Sequence, residues 1–270
     1  MPDNRPIAVF DSGMGSLSVI QALRQELPNE SIVYLADRAH YPYGKKSREQ
    51  LKSIIIQTIK FLEKFDLKAI IVASITPSML VLREARLYTN IPVFGVYPTI
   101  SDAVALSKTK NIALLATEGT INSDELDEYV KPYITTTRII MVNASPIIDL
   151  VESGKFLENA TATKETMVNA MHSIKSNPKI DVAILGSTHL PLIKEHLASL
   201  FPKMQLVNPA LNTVNQVKTY LQYQDMTNQE KGTMKILVSK GKEQFEKIVR
   251  ALGIKESIEQ VVLDFKIEPF

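Results

Sequence analysis

Apolar residues along the chain gather in short runs separated by amphipathic stretches. The runs fall at 7–10, 32–35, 69–73, 93–96, 112–116, 139–142, 182–185 and 236–238. They are short and mostly rich in β-branched residues, as strands buried on both faces of a parallel sheet are. Between several of them the apolar period changes to that of a helix. Leu17, Ile20, Leu23 and Leu27 share one face; Leu51, Ile55, Ile59 and Leu62 share another; Phe245, Ile248, Val249 and Leu252 share a third. Strands alternating with helices predict an α/β fold with helices on both faces of mainly parallel sheets.

The two halves of this pattern echo each other. One strand ends Val9-Phe10-Asp11-Ser12-Gly13 and a later one Leu115-Ala116-Thr117-Glu118-Gly119. A second pair is Val72-Ala73-Ser74-Ile75-Thr76 and Leu185-Gly186-Ser187-Thr188-His189. The echo predicts two similar three-layer α/β lobes, with four strand ends facing a cleft between them. Ligands of open α/β sheets bind outside the carboxyl ends of the strands.

Composition narrows the chemistry. The chain has 270 residues, enough for two lobes and for burying roughly 75% of its unfolded surface without staples. Lys+Arg is 31 and Asp+Glu is 29, a net charge of +2 that argues against a nucleic-acid partner. Cysteine is absent, which excludes disulfides, thiolate metal sites and thiol acid–base groups. The four histidines show no H-x-x-x-H or H-E-x-x-H spacing, so no metal site is expected. The N-terminus lacks a long apolar segment, and no apolar run approaches the ~20 residues of a membrane span. A cytoplasmic protein with no membrane partner is the expectation.

Four segments carry candidate chemistry. Asp11-Ser12-Gly13-Met14-Gly15-Ser16 follows a strand and opens a helix. Its N–H groups suit an anion, and Asp11 suits an acid, a base or an amine ligand, or Asp11 and Ser12 merely cap the helix. Tyr41-Pro42-Tyr43-Gly44 is a turn whose aromatics either line a cleft or pack. In Ala73-Ser74-Ile75-Thr76-Pro77, Pro77 suits the first position of a helix, and Ser74 or Thr76 suits its cap. In Gly186-Ser187-Thr188-His189 a serine lies two residues before a histidine. Residues two apart point alike only if the strand continues through them. With no G-x-S-x-G elbow either, a serine hydrolase is not favoured.

Together these segments resemble the glutamate racemases of the aspartate/glutamate racemase superfamily. The family's F-D-S-G-x-G-G is similar to Phe10–Ser16 here, and its D-x-A-x-x-P-Y-G to Asp37-Arg38-Ala39-His40-Tyr41-Pro42-Tyr43-Gly44. L-A-T-x-G-T is found at Leu115 to Thr120, and L-V-E-x-G at Leu150-Val151-Glu152-Ser153-Gly154. G-C-T-H-x-P-L resembles Gly186-Ser187-Thr188-His189-Leu190-Pro191-Leu192. The departures fall on the chemistry. The family's A-C-N-T is Ala73-Ser74-Ile75-Thr76, and its second cysteine is Ser187; in addition Ser16 replaces a glycine, and Pro77 follows Thr76 where the family has a small residue.

The resemblance implies a cofactor-independent racemase in which one thiolate removes the α-proton and the opposite thiol returns one. It implies Ser74, Ser187, Asp11, His189 and Glu152 as the catalytic positions. It implies Ser12, Pro42, Tyr43, Gly44, Ile75, Thr76, Thr120 and Thr188 as substrate contacts. It further implies lobes of 1–97 with 210–270 and of 98–209, a homodimer, and a role in peptidoglycan precursor synthesis. A thiol has a pKa of ~8.5, whereas a serine hydroxyl acts as a base only when another base takes its proton. Positioned acid–base groups are worth ~10²–10⁴ each. Ile75 offers no hydrogen bond where the family has an amide. The first expectation is therefore a glutamate- or aspartate-binding protein with weak or absent racemisation. The second is a working racemase whose serines are assisted by Asp11 and His189. The third is a non-catalytic, protein-binding role, since some members of the family also bind DNA gyrase.

Overall fold

The computed structural model describes residues 3–265. Its strands are β1 (Ile7–Asp11), β2 (Ile32–Ala36), β3 (Ala69–Val72), β4 (Val93–Gly95), β5 (Asn111–Ala116), β6 (Arg138–Asn143), β7 (Val182–Leu185), β8 (Gln205–Val207), β9 (Met234–Val238) and β10 (Ile258–Gln260). Each expected run contains or overlaps a strand. β8 and β10 are additional. Both are three-residue edge strands with exposed polar positions, Gln205 in one and Glu259 and Gln260 in the other. No apolar run marks such a strand.

The chain divides into two compact units. One comprises Met1–Val96 together with Ala210–Phe270; the other is Tyr97–Pro209. The first holds a six-stranded sheet in the order β10-β9-β2-β1-β3-β4, and the second a four-stranded sheet in the order β6-β5-β7-β8. Among the described residues every strand pair is parallel. A parallel pair needs a crossover connection, and helices supply most of them. The four strands β2-β1-β3-β4 and β6-β5-β7-β8 follow the same order, so the two units repeat one topology. Two parallel-sheet α/β lobes are thus present.

Local chemistry explains the main elements. β1, β2 and β3 are buried at every position, as central parallel strands must be. β6 departs furthest from the expected fully buried runs, and in β4 Phe94 is also only half-buried. β6 lies at the sheet edge, and only Val142 in it is buried. Helix Arg48–Leu62 opens with a capping box: the Ser47 hydroxyl accepts from Gln50 N–H, and the Gln50 side chain accepts from Ser47 N–H. Its buried face is Leu51, Ile54, Ile55, Ile59 and Leu62. Helix Lys242–Ala251 buries Phe245, Ile248 and Val249.

The amino ends of the first sheet are locked by a buried ion pair. Lys68, directly before β3, donates to the carbonyls of Asp3 (2.6 Å) and Met226 (2.8 Å), and its Nζ lies 2.5 Å from Glu30 Oε2. Glu30, two residues before β2, also accepts from Asn228 N–H at 2.9 Å. Two carbonyls thus accept from the ammonium, and a carboxylate offsets its charge, as buried charge requires. The lock joins the chain's beginning, the starts of β2 and β3, and the segment leading to β9.

Candidate functional site

Sheet order shows which strand ends matter. In the first unit β1 lies between β2 and β3, so the chain leaves β1 to one side and returns on the other. Such a switch point opens a crevice beyond the carboxyl ends of its two strands. Those ends carry Asp11 on one strand and, just past the other, Ala73 and Ser74. In the second unit β5 and β7 form the equivalent switch point, with Thr117 and Ser187 beyond their ends.

In the first unit three of the sequence segments meet. Asp11 ends β1 and is 3% exposed; its carbonyl accepts from Asp37 N–H at 2.7 Å. Ser12 Oγ accepts from Tyr43 N–H at 3.2 Å, and its carbonyl accepts from Arg38 Nη1 at 3.2 Å. Neither residue caps the following helix, contrary to one sequence expectation. That helix starts at Ser16, and its cap position is Gly15. Tyr43 packs inward, with its hydroxyl donating to Asp37 Oδ2 at 2.8 Å. Burial, then the charges of Asp37 and Asp11, push that hydroxyl well above its usual range, so it stays a donor at neutral pH. Tyr41 lies beneath the Arg38 guanidinium, 4.9 Å from ring centre to carbon, and the Tyr41–Pro42 peptide bond is cis. Gly44 lies against Thr76: a Cβ there would be 3.9 Å from Thr76 Oγ1.

Asp37 is the hub that spacing did not reveal. It is fully buried and takes His40 Nδ1 at 2.8 Å, the Tyr43 hydroxyl, and Ser239 Oγ at 3.3 Å. Asp37 and His40 stood in a recognised segment without a role. Ser239 follows β9, some 200 residues away, and no local pattern could join it to them.

Ser74 is half-buried, in extended backbone directly before helix Ile75–Leu80. It occupies the cap position, but its side chain accepts no backbone N–H. Pro77 is the third helical residue rather than the first. It is tolerated there because first-turn N–H groups lack intrahelical partners anyway. Among the described residues the Ser74 hydroxyl makes no hydrogen bond; its carbonyl accepts from Ser78 Oγ at 2.6 Å and from Ser78 N–H at 3.4 Å. Ile75 is buried.

The second unit is more strongly wired. Helix Ser145–Glu152 delivers Glu152 at its last position. Glu152 Oε2 lies 2.8 Å from His189 Nε2, and His189 Nδ1 lies 3.3 Å from Ser187 Oγ. His189 N–H also donates to Ser187 Oγ at 3.4 Å. Ser187, His189 and Glu152 are 8%, 8% and 7% exposed, so the relay is shielded from bulk water. β7 ends at Leu185, so Ser187 and His189 do not alternate along a strand. A turn brings them together, held by Leu190 N–H donating to the Ser187 carbonyl at 3.1 Å. Gly186 makes that turn possible: a Cβ there would fall 2.7 Å from the Leu115 carbonyl oxygen.

Thr188 is buried within this turn. Thr120 is also buried, and its hydroxyl shares a 2.8 Å hydrogen bond with that of Thr117. Thr117, which the sequence reading passed over, caps helix Glu118–Ile121 by accepting from Thr120 N–H at 3.2 Å. The expected anion-binding helix starts at Thr76 and Thr120 belong to helices of only six and four residues. Among the described residues no group of three or more His, Asp or Glu could hold a metal ion, and no helix is long and apolar enough to cross a membrane.

Parallel sheets whose switch points carry carboxylates, hydroxyls and an imidazole define the class as an α/β protein with titratable groups at its strand ends. Residues 9–217 match the Asp/Glu/Hydantoin racemase family, and the chain belongs to that family. It is 34% identical over 220 residues to a glutamate racemase of Limosilactobacillus reuteri, covering 81% of each chain. A glutamate racemase of Bacillus anthracis has a similar structure, with a TM-score of 0.86 and 28% identity, covering 98% of this chain and 100% of that one. A Francisella tularensis glutamate racemase in complex with D-glutamate matches with a TM-score of 0.81 and 28% identity, covering 97% and 99%.

Proposed function

We propose that the chain binds an acidic amino acid of the glutamate or aspartate type through these strand-end groups, and racemises it weakly or not at all. The observation that carries this reading is the unequal wiring of the two serines. In the pattern the sequence resembles, Ser74 and Ser187 stand where two thiols exchange the α-proton from opposite sides. Here Ser187 has an imidazole within hydrogen-bond reach, while among the described residues no side-chain base is hydrogen-bonded to the Ser74 hydroxyl. A hydroxyl without a base is essentially un-ionised at neutral pH, so one side of the exchange lacks its base. The loss of one positioned acid–base group is worth ~10²–10⁴ in rate. Ile75 supplies no hydrogen bond, which weakens polar recognition by ~1–3 kcal/mol where a ligand group is left unpaired.

The binding half of the reading is supported by the glutamate complex of the Francisella relative. It is also supported by the buried donors and acceptors at the first switch point. The wired Ser187–His189–Glu152 relay favours a second reading, a working racemase whose serines are assisted by Asp11 and His189, with a place in peptidoglycan precursor synthesis. Circular-dichroism assays with D- and L-glutamate and D- and L-aspartate distinguish the two. A turnover of ~1 s⁻¹ or faster, an ordinary enzyme rate, overturns the first reading. Thermal melting with the same ligands tests binding. A ligand at 100 times its Kd stabilises by ~2.7 kcal/mol, and no shift at millimolar concentrations of any of the four overturns it.

A further inference from the structure

We propose that Ser187 is a base-activated nucleophile that accepts acyl groups from small activated esters. The proposal uses the second unit alone and does not rest on racemisation. When the His189 ring is neutral, the Glu152 carboxylate accepts from Nε2–H at 2.8 Å, which fixes the proton on that nitrogen. Nδ1 then presents its lone pair to the Ser187 hydroxyl at 3.3 Å. Serine, imidazole and carboxylate in series, each within reach of the next, are the parts of an acyl-transfer relay, and its spacing is commonly loose before substrate binds. The ring nitrogens are used in the opposite order from the usual serine-protease arrangement, but the roles are the same. The backbone N–H of His189 points at Oγ as well, at 3.4 Å, and steadies the oxygen as its proton leaves.

The step balances without any outside reagent. Ser187 Oγ forms a bond to the carbonyl carbon of the ester while its proton passes to His189 Nδ1. Glu152 offsets the positive charge that appears on the ring. The carbon–oxygen bond to the leaving alcohol then breaks, and Nδ1 returns the proton to that oxygen. Water, deprotonated by the same nitrogen, releases the acid and restores Ser187. Ser74 is the internal control, because its hydroxyl has no imidazole partner among the described residues.

A fluorophosphonate, which needs only an activated serine, is the direct probe. The unmodified chain is incubated with it across a range of pH, and adducts are located by intact mass and peptide mapping. One adduct at Ser187 is expected. A one-equivalent burst of nitrophenol from p-nitrophenyl acetate should accompany it. Ser187→Ala should abolish both. Glu152→Gln should slow labelling and displace its pH profile, and His189→Gln should slow it at least ~100-fold. No adduct on the folded, unmodified chain overturns the proposal, as does an adduct at Ser74. So does a Glu152→Gln chain with unchanged rate and pH profile. If either variant fails to fold, mapping on the unmodified chain still decides.

Discussion

At the residue scale, Ser74, Ile75 and Ser187 stand where the pattern the sequence resembles has two cysteines and an asparagine. If the rest of the site still orients an acidic amino acid, then Ser74→Cys, Ile75→Asn and Ser187→Cys together should produce measurable racemisation of glutamate or aspartate. Either cysteine alone should give far less, because each direction of the reaction uses both positions. In the triple variant, His189→Asn should lower the rate again by ~10²-fold or more. Circular dichroism of the amino acid reads all of these. A folded triple variant inert toward every acidic amino acid would show that the chain has diverged beyond these three positions. The placing of these candidate residues beyond strand ends was legible in the sequence, because they sit in short motifs that follow apolar runs. The meeting of Ser187 with His189 was not. Their spacing suits a continuing strand, and β7 stops at Leu185, leaving the contact to a turn that glycine permits. The hub at Asp37 was hidden for another reason. One of its partners, Ser239, is supplied by a strand almost 200 residues later.

At the element scale, the eight apolar runs revealed eight strands, because a central parallel strand must be apolar on both faces. β8 and β10 escaped because an edge strand of three residues can keep polar side chains outward. Loops that anchor strands were equally silent. Asp181, just before β7, accepts from Ser107 Oγ at 2.6 Å, Lys108 N–H at 2.8 Å, Thr109 N–H at 3.1 Å and Thr109 Oγ1 at 3.0 Å. Burial raises its carboxyl, but these donors outweigh burial and hold it below the usual carboxylate range. A carboxyl that is more acidic when folded stabilises above the unfolded value of ~4, and that contribution fades as pH falls through the lower folded value. Asp181→Asn should therefore destabilise by about 1–3 kcal/mol at pH 7. The gap between variant and unmodified chain should narrow below pH ~4. Urea melts at several pH values measure this, and a gap independent of pH would contradict it.

At the scale of the whole molecule, the buried Lys68–Glu30 pair ties distant parts of one unit together. Lys68→Met leaves Glu30 buried without its cation and should cost about 3–5 kcal/mol, or roughly 6–20 °C in Tm. Adding Glu30→Gln should recover part of that loss. A single-variant loss below ~1 kcal/mol would place the pair with ordinary surface bridges. The sheet order has a consequence for how the chain is made. β2 pairs with β9, yet Ala36 and Met234 are separated by nearly 200 residues. At ~5–20 residues per second a ribosome takes roughly 10–40 s to cover that distance. During that interval β2 keeps an open edge, a surface that invites pairing with other chains. The segment 97–209 needs no later strand to complete its own sheet. Chains halted on the ribosome with residue 225 just emerged should resist protease within 97–209 and be cut within 1–96. Release of the remaining residues should then protect both, so that the last-made part of the protein closes the first.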